Sequence, residues 1–165
     1  MRLQWSLRVT TIERALDSDR LAIENLLTAA GLPLDGLEAA LPAALVARSD
    51  GVVVGCAGVE AHGSVGLLRS VCVAPDLRGA GLGRLLVTAA EELAASRSMT
   101  ELYLLTETAE AWFPRMGYRV SSRSSVPTEL TSSAEFTGAC PEGAVVLHKG
   151  LQSVSNAGRQ GARPE

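Results

Sequence analysis

Apolar and polar positions along this chain follow two periods. Leu82, Leu85, Leu86, Ala89, Ala90, Leu93 and Ala94 recur at i, i+3, i+4, i+7, i+8, i+11 and i+12, with Arg84, Thr88, Glu91 and Glu92 off the stripe. That spacing predicts an amphipathic helix. A second helix is expected from Asp19, where Leu21, Ile23, Leu26, Leu27 and Ala30 share a face. Asp17, Ser18 and Asp19 supply candidate N-caps, and Gly31 and Pro33 stop it. A shorter helical stretch runs from Leu34 to about Ala40 before Pro42, and another from Thr108 to Arg115, ended at Gly117.

The remaining apolar runs have the character of strands. Arg8–Ile12 alternates, and Ala44–Ala47 and Val52–Val59 flank Ser49-Asp50-Gly51, whose Asp-Gly pair supplies the positive φ of a tight hairpin. Gly63-Ser64 then breaks the chain before Val65–Val73, a Val- and Leu-dense run expected as a central strand buried on both faces. Leu102–Leu105, Tyr118–Val120 and Ala144–Leu147 complete the strands. Ser121–Ser133 reads as a loop with one helical turn near Thr128–Ser132.

The 165 residues, 47% of them hydrophobic, are enough for one domain that buries roughly 70% of its unfolded surface. Residues 1–151 are read as that domain and 152–165, polar and Gly-containing, as a disordered tail. Only six residues are aromatic, and Trp112, Phe113 and Tyr118 cluster together, so the core must be mostly Leu, Val and Ala. A net charge of −3 argues against nonspecific nucleic-acid binding. The odd cysteines Cys56, Cys72 and Cys140, with only His62 and His148, argue against a disulfide framework or a closed zinc site. No apolar run approaches the roughly 20 residues of a membrane span, and MRLQWSLRVT lacks a signal-peptide core, so no membrane partner and a cytoplasmic location are expected.

The densest chemical signal is the strand–turn–helix passage from Leu67 to Ala94, whose turn reads Arg78-Gly79-Ala80-Gly81-Leu82-Gly83. Glycines at such a junction let successive N–H groups converge at a helix N-terminus, where an anion is favoured. A tight turn that merely needs positive φ is the plainer alternative. The nucleotide-binding Walker pattern fails because Arg84 follows Gly83. The dinucleotide fingerprint fails because its third glycine would also fall on Arg84.

The run Arg78-x-x-Gly81-x-Gly83, preceded by Val73-x-Pro75 and followed by Leu85-Leu86, resembles the acetyl-CoA pyrophosphate loop of the GCN-five-related N-acetyltransferases (GNAT). Ala109-x-x-Trp112-Phe113-x-Arg115-x-Gly117-Tyr118 looks like the second coenzyme motif of that family. The resemblance implies an α/β fold: a central mixed sheet with helices on both faces, splayed at the coenzyme site between strands beginning near Val65 and Thr100. It implies acetyl-CoA as cosubstrate, no metal, and a small-molecule amine as acceptor. By it, Arg78, Gly79, Ala80, Gly81, Leu82 and Gly83 cradle the pyrophosphate, while the backbone of Val71, Cys72 and Val73 pairs with the pantetheine arm. Thr106 and Thr108 stand where many members have an asparagine, and Phe113 where a tyrosine often serves as general acid. A homodimer is expected by base rate.

Three blocks, Leu67-Leu68-Arg69-Ser70-Val71, Leu105-Thr106-Glu107-Thr108-Ala109-Glu110 and Glu135-Phe136-x-x-x-Cys140-Pro141, look like the acetyltransferases of bacterial arsenic-resistance operons. The stretch from Thr108-Ala109 to Gly117-Tyr118 is also similar to the catalytic domain of N-acetylglutamate synthases. These resemblances imply acetylation of the α-amine of an amino-acid-like compound, such as arsinothricin or another glutamate analogue.

N-acetylation needs a neutral amine, a donor to the developing oxyanion and a route to protonate the thiolate. The expected oxyanion donor is a backbone N–H near Val71 or Cys72. Glu60 is the candidate base, acting through water, unless it is a solvated hairpin carboxylate. Arg69 lies in an otherwise apolar run, so it needs an anionic partner, either a fixed glutamate or a substrate anion. Ser70 points away from Arg69 in an ideal strand, and both line one site only across a bulge of the kind common in this family. With phenylalanine at position 113, the thiolate proton would come from water, Tyr118 or Thr108. An acetyl-cysteine route through Cys72 stands against its reading as a buried small hydrophobe. Two other functions fit the motifs: a non-catalytic acetyl-CoA sensor, and a peptide N-terminal acetyltransferase indifferent to Arg69.

Overall fold

The computed structural model describes residues 10–153, so the start of the expected first strand and the tail from residue 154 lie outside the described residues. Seven strands, β1 (Thr10–Arg14), β2 (Ala44–Ser49), β3 (Val52–His62), β4 (Val65–Val73), β5 (Glu101–Thr106), β6 (Arg119–Ser121) and β7 (Val145–Gly150), form one sheet in the order β1-β2-β3-β4-β5-β7-β6. Every neighbouring pair is antiparallel except β4 and β5. The β2–β3 hairpin turns through Asp50 and Gly51, both at positive φ (49° and 78°), which matches the right-handed twist of the strands it joins.

Alternation along β2–β4 sends two sets of side chains to opposite faces. Leu45, Ala47, Ala57, Val59 and Leu68 meet Leu82, Leu86, Val87, Ala90 and Ala94 of helix α3 (Leu82–Ser96). The buried face of α3 is rotated from the predicted stripe: Val87 is fully buried, while Leu85 is 57% exposed. The sheet centres its contact on Leu86 and Ala90, which turns position 85 to solvent. On the other face Val46, Cys56 and Cys72 pack against Ile23 and Leu27 of α1 (Arg20–Ala29). Beside α1, Val126 and Leu130 from the loop after β6 cover Leu67, Tyr103 and Val146.

Two predicted helices shrink. The expected Leu34–Ala40 helix is α2, only Leu37–Ala40, because Gly36 enters it at φ +75°. The expected Thr108–Arg115 helix is a 3₁₀ turn, Phe113–Met116. Pro114 has no N–H to donate back along a helix, and Gly117 ends the turn at φ +90°.

Two features of β4 open the sheet. It pairs with β5 only through Val65–Leu67 opposite Glu101–Tyr103, whereas β5 pairs with β7 over its whole length. Opposite β3, Cys72 faces Cys56 and Arg69 faces Gly58, three steps on β4 against two on β3. The extra residue is a bulge, and Ser70 within it sits at φ +57°. Bulges sharpen strand twist, so the upper half of β4 diverges from β5.

Candidate active site

The divergence of β4 from β5 opens a cavity of about 580 Å³. β4 forms one wall from Leu68 to Val73, and Leu104, Leu105 and Thr106 of β5 with Thr108, Ala109, Trp112 and Phe113 form the other. Val71, Cys72 and Val73 lie on this wall beyond the last β4–β5 pair, so an extended molecule can take the place of a neighbouring strand. Thr108 faces the cavity, while Thr106 also accepts the Ala109 N–H at 3.0 Å and so fixes the turn.

Arg78, Gly79, Gly81, Gly83 and Arg84 close the end beyond Val73. Gly79 and Gly81 adopt φ of +84° and +85°, and nothing lies within 4 Å of where a Cβ would stand on either. Gly81 enters α3 with no side-chain cap, leaving first-turn N–H groups for a ligand. Arg78 Nε donates to the Val73 carbonyl at 2.9 Å, tying the loop to the strand end. Two arginines and a bare helix start suit a pyrophosphate. Leu82 is instead packed in the core, and Ala80 does not line the cavity. Arg84, which excludes the other phosphate motifs, joins this end.

Toward the middle of β4 the cavity meets Arg69, Ser70, Glu135 and Cys140, with Leu32 and Pro33 from the α1–α2 loop. The bulge places Arg69 and Ser70 together, with Arg69 Nε donating to Ser70 Oγ at 3.2 Å. Arg69 is 3% exposed, and its Nη2 donates to the Asp35 carbonyl at 2.6 Å. Two carboxylates face it: Glu60 Oε2 lies 3.7 Å from Nη1 and Glu135 Oε1 lies 3.6 Å from Nε. Nη1 itself has no hydrogen-bond partner.

Glu60 is not a solvated hairpin carboxylate. It is 2% exposed, accepts the Ser133 hydroxyl at 2.7 Å and does not line the cavity. Glu135 stands on a five-residue π-type turn, Glu135–Ala139, and its N–H donates to Ser133 Oγ at 3.3 Å. Burial pushes the Glu135 carboxyl up to about 7; Arg69 opposes the rise and Glu60 adds to it. Spacing along the chain does not single out Glu135 or Ser133. Glu135 opens the block Glu135-Phe136-x-x-x-Cys140-Pro141 of the arsenic-linked resemblance, which assigns it no role, and Ser133 stands in a Ser- and Thr-rich loop compatible with full exposure.

Trp112, Phe113 and Tyr118 pack edge to face, with ring centroids 4.9 and 5.4 Å apart. Trp112 and Phe113 wall the cavity, but Tyr118 does not line it. The Tyr118 hydroxyl is buried without a hydrogen bond and its pKa is raised by burial and by Glu91, so it is not placed to protonate anything in the cavity. Burial also raises the Cys72 thiol, partly offset by Arg78, which works against a thiolate nucleophile there. Burial lifts Cys140 to about 11. Among the described residues no group of three His, Cys, Asp or Glu is arranged to hold a metal, and no helix is long and apolar enough to cross a membrane.

Residues 42–120, which hold the glycine loop, β4, β5 and the aromatic turn, match the acetyltransferase (GNAT) domain. The fold is of the GNAT type. The chain is similar to the amino-acid acetyltransferase of Mannheimia succiniciproducens, 29% identical over 48% of this chain and 19% of that protein. It is also similar to an uncharacterized N-acetyltransferase of Chlorobaculum tepidum, 31% identical over 52% of this chain and 55% of that one. The chain therefore spans about a fifth and about half of the lengths of these curated relatives. In fold, the N-acetylglutamate synthase of Neisseria gonorrhoeae, solved with coenzyme A and N-acetyl-glutamate, superposes with a TM-score of 0.74 at 22% identity, over 87% of this chain and 35% of that one. A Mycobacterium tuberculosis protein solved with CoA gives 0.73 at 24% identity, over 86% of this chain and 99% of that one. The matched GNAT segment ends before Ser133, Glu135 and Cys140 and begins after Asp35, so part of the wall around Arg69 comes from outside it.

Proposed function

We propose that this GNAT-type domain transfers an acetyl group from acetyl-CoA to the α-amine of a small amino-acid-like acceptor, of which arsinothricin or another glutamate analogue is the favoured class. One observation carries the reading: a single cavity joins the glycine-rich, arginine-flanked loop to a buried, charged end at Arg69 and Glu135. Four strand residues, Ser70–Val73, separate Arg69 from the end of the strand, roughly 13 Å, which suits a coenzyme arm lying between anion loop and acceptor. The amino-acid acetyltransferases among the relatives, and the synthase solved with N-acetyl-glutamate, support the acceptor class.

Acetyl-CoA supplies an acyl thioester that an amine can attack. The first-turn N–H groups of α3 with Arg78 and Arg84 hold its pyrophosphate, and the free edge of Val71–Val73 aligns its arm. A backbone N–H near Val71 or Cys72 donates to the thioester oxygen, whose charge grows as the bond to nitrogen forms. Trp112 and Phe113 keep water away. Arg69, which lines the cavity, supplies the counter-charge for the acceptor's carboxylate or arsinate.

The test is thiol release from acetyl-CoA across a panel of amino acids and glutamate analogues including arsinothricin, with acetyl-CoA binding measured separately. Turnover with glutamate-like acceptors supports the reading. Binding without turnover identifies a coenzyme-binding module instead. Turnover confined to peptides, and unaffected by Arg69→Ala, identifies a peptide N-terminal acetyltransferase.

A further inference from the structure

Glu60 and Glu135 both face Arg69, but only Glu135 lines the cavity. We propose that Glu135 is the base that takes the proton from the acceptor's ammonium group, while Glu60 positions Arg69 from behind. This rests on the acetyl-transfer reading above and assigns one of its steps to a residue outside the matched GNAT segment.

Three features separate the two carboxylates. Glu60 accepts the Ser133 hydroxyl, whereas no described residue donates a hydrogen bond to the Glu135 carboxylate, whose Oε2 is buried with no partner. Arg69 Nε lies 3.6 Å from Glu135 Oε1, close enough to hold the charge in place and too far to occupy its lone pairs. The backbone beneath is pinned at both ends, since the Glu135 N–H donates to Ser133 Oγ and its carbonyl accepts the Cys140 N–H. A buried carboxylate with free lone pairs at the wall of a cavity binds a cation or a proton.

The charges around it set its proton affinity. Arg69 faces Glu135 from β4 and Glu60 faces the same guanidinium from β3. Cys140 adjoins it from its own loop as a neutral thiol, and the α1–α2 loop contributes the Asp35 carbonyl to Arg69. With both glutamates ionised the trio carries one net negative charge, which suits an incoming ammonium. Burial and Glu60 together hold the Glu135 carboxyl near 7, within reach of an amine at neutral pH.

In the reaction, one proton passes from the ammonium to Glu135. The freed nitrogen forms the C–N bond to the acetyl carbon as the C–S bond breaks. The second nitrogen proton leaves with the departing thiolate as a thiol, and Glu135 gives its proton to water once the amide has left.

The experiment compares Glu135→Gln, Glu60→Gln and wild type in kcat/KM against pH, using the best acceptor of the panel above. It is paired with 13C NMR titration of carboxyl-labelled glutamates in the protein without coenzyme, and with acetyl-CoA binding. In wild type, kcat/KM should rise with pH through about 7. Glu135→Gln should bind acetyl-CoA normally, lose that limb, lose the matching NMR titration, and fall about 10²- to 10³-fold in kcat/KM at pH 8. Glu60→Gln should keep the limb but move it to lower pH, because a like charge has gone. A Glu135→Gln variant that keeps the limb, or a Glu135 resonance titrating in the ordinary range of about 4, overturns the base while leaving acetyl transfer standing. If wild type turns over no acceptor, acetyl transfer itself fails and the base falls with it.

Discussion

Arg69 on the central strand donates to the carbonyl of Asp35 at 2.6 Å, so a guanidinium at the cavity also anchors the loop between α1 and α2. Two buried carboxylates and a backbone carbonyl thus depend on one side chain. Arg69→Gln should destabilise the domain by about 3–5 kcal/mol, the usual cost of stranding buried charges. Urea unfolding should show the loss at pH 8 and a smaller one at pH 5, where Glu135 carries a proton and needs no partner.

Gly36 makes that anchorage possible. A Cβ there would stand 2.7 Å from Ala134 Cβ and 2.8 Å from Arg69 Nη1, on a backbone already at φ +75°. Gly36→Ala should cost about 2 kcal/mol in urea unfolding and raise KM for the acceptor more than for acetyl-CoA, because it pushes on the loop that carries Asp35.

Gly81 is the corresponding position at the other end. Its Cβ would meet nothing within 4 Å, so only its φ of +85° resists a side chain. Gly81→Ala should weaken acetyl-CoA binding about tenfold by shifting the N–H groups that open α3, with a stability loss of about 1–2 kcal/mol. Trp112, within 4 Å of the Cβ position of Gly83, makes tryptophan fluorescence a direct readout.

Glu135 also links folding to pH. Its folded carboxyl holds a proton up to about 7, whereas the unfolded chain releases it near 4.5. Between those values the folded state binds more protons, so this group's contribution is full at low pH and is lost as pH rises through about 7, by on the order of 3 kcal/mol. Chemical unfolding from pH 4.5 to 8 should show that downward trend in wild type and a flatter profile in Glu135→Gln. Equal slopes would mean that Glu135 titrates alike in both states.

Tyr118 supplies a contrast. Its hydroxyl is buried without a hydrogen bond and lies outside the cavity. Tyr118→Phe should change stability by less than about 1 kcal/mol and leave kcat within twofold, as thermal unfolding and thiol-release kinetics will show.

Much of this was written locally in the chain. The 3.6-residue stripe after Gly81, the Asp-Gly hairpin and the apolar run of β4 each follow from steric and hydrophobic preferences that act within a few residues. The glycine loop was legible for the same reason, since positive φ at a strand–helix junction is a local demand. The turn after β5 has the apolar pattern of a helix, but Pro114 removes a backbone donor and leaves only the 3₁₀ turn Phe113–Met116. The sequence also showed that Arg69 needed a counter-charge and that Ser70 could join it only across a bulge.

Tertiary structure decided which counter-charges those were. Glu60 reaches Arg69 because β3 pairs antiparallel with β4, and Glu135 reaches it because the chain returns over the sheet after β6. Burial of a charge depends on everything packed around it, and no window of neighbouring residues contains that information. The sequence by itself determined the elements, the anion loop and the presence of a buried arginine. Only the folded sheet, with its bulge and its gap between β4 and β5, set two carboxylates around that arginine and left one of them facing the cavity.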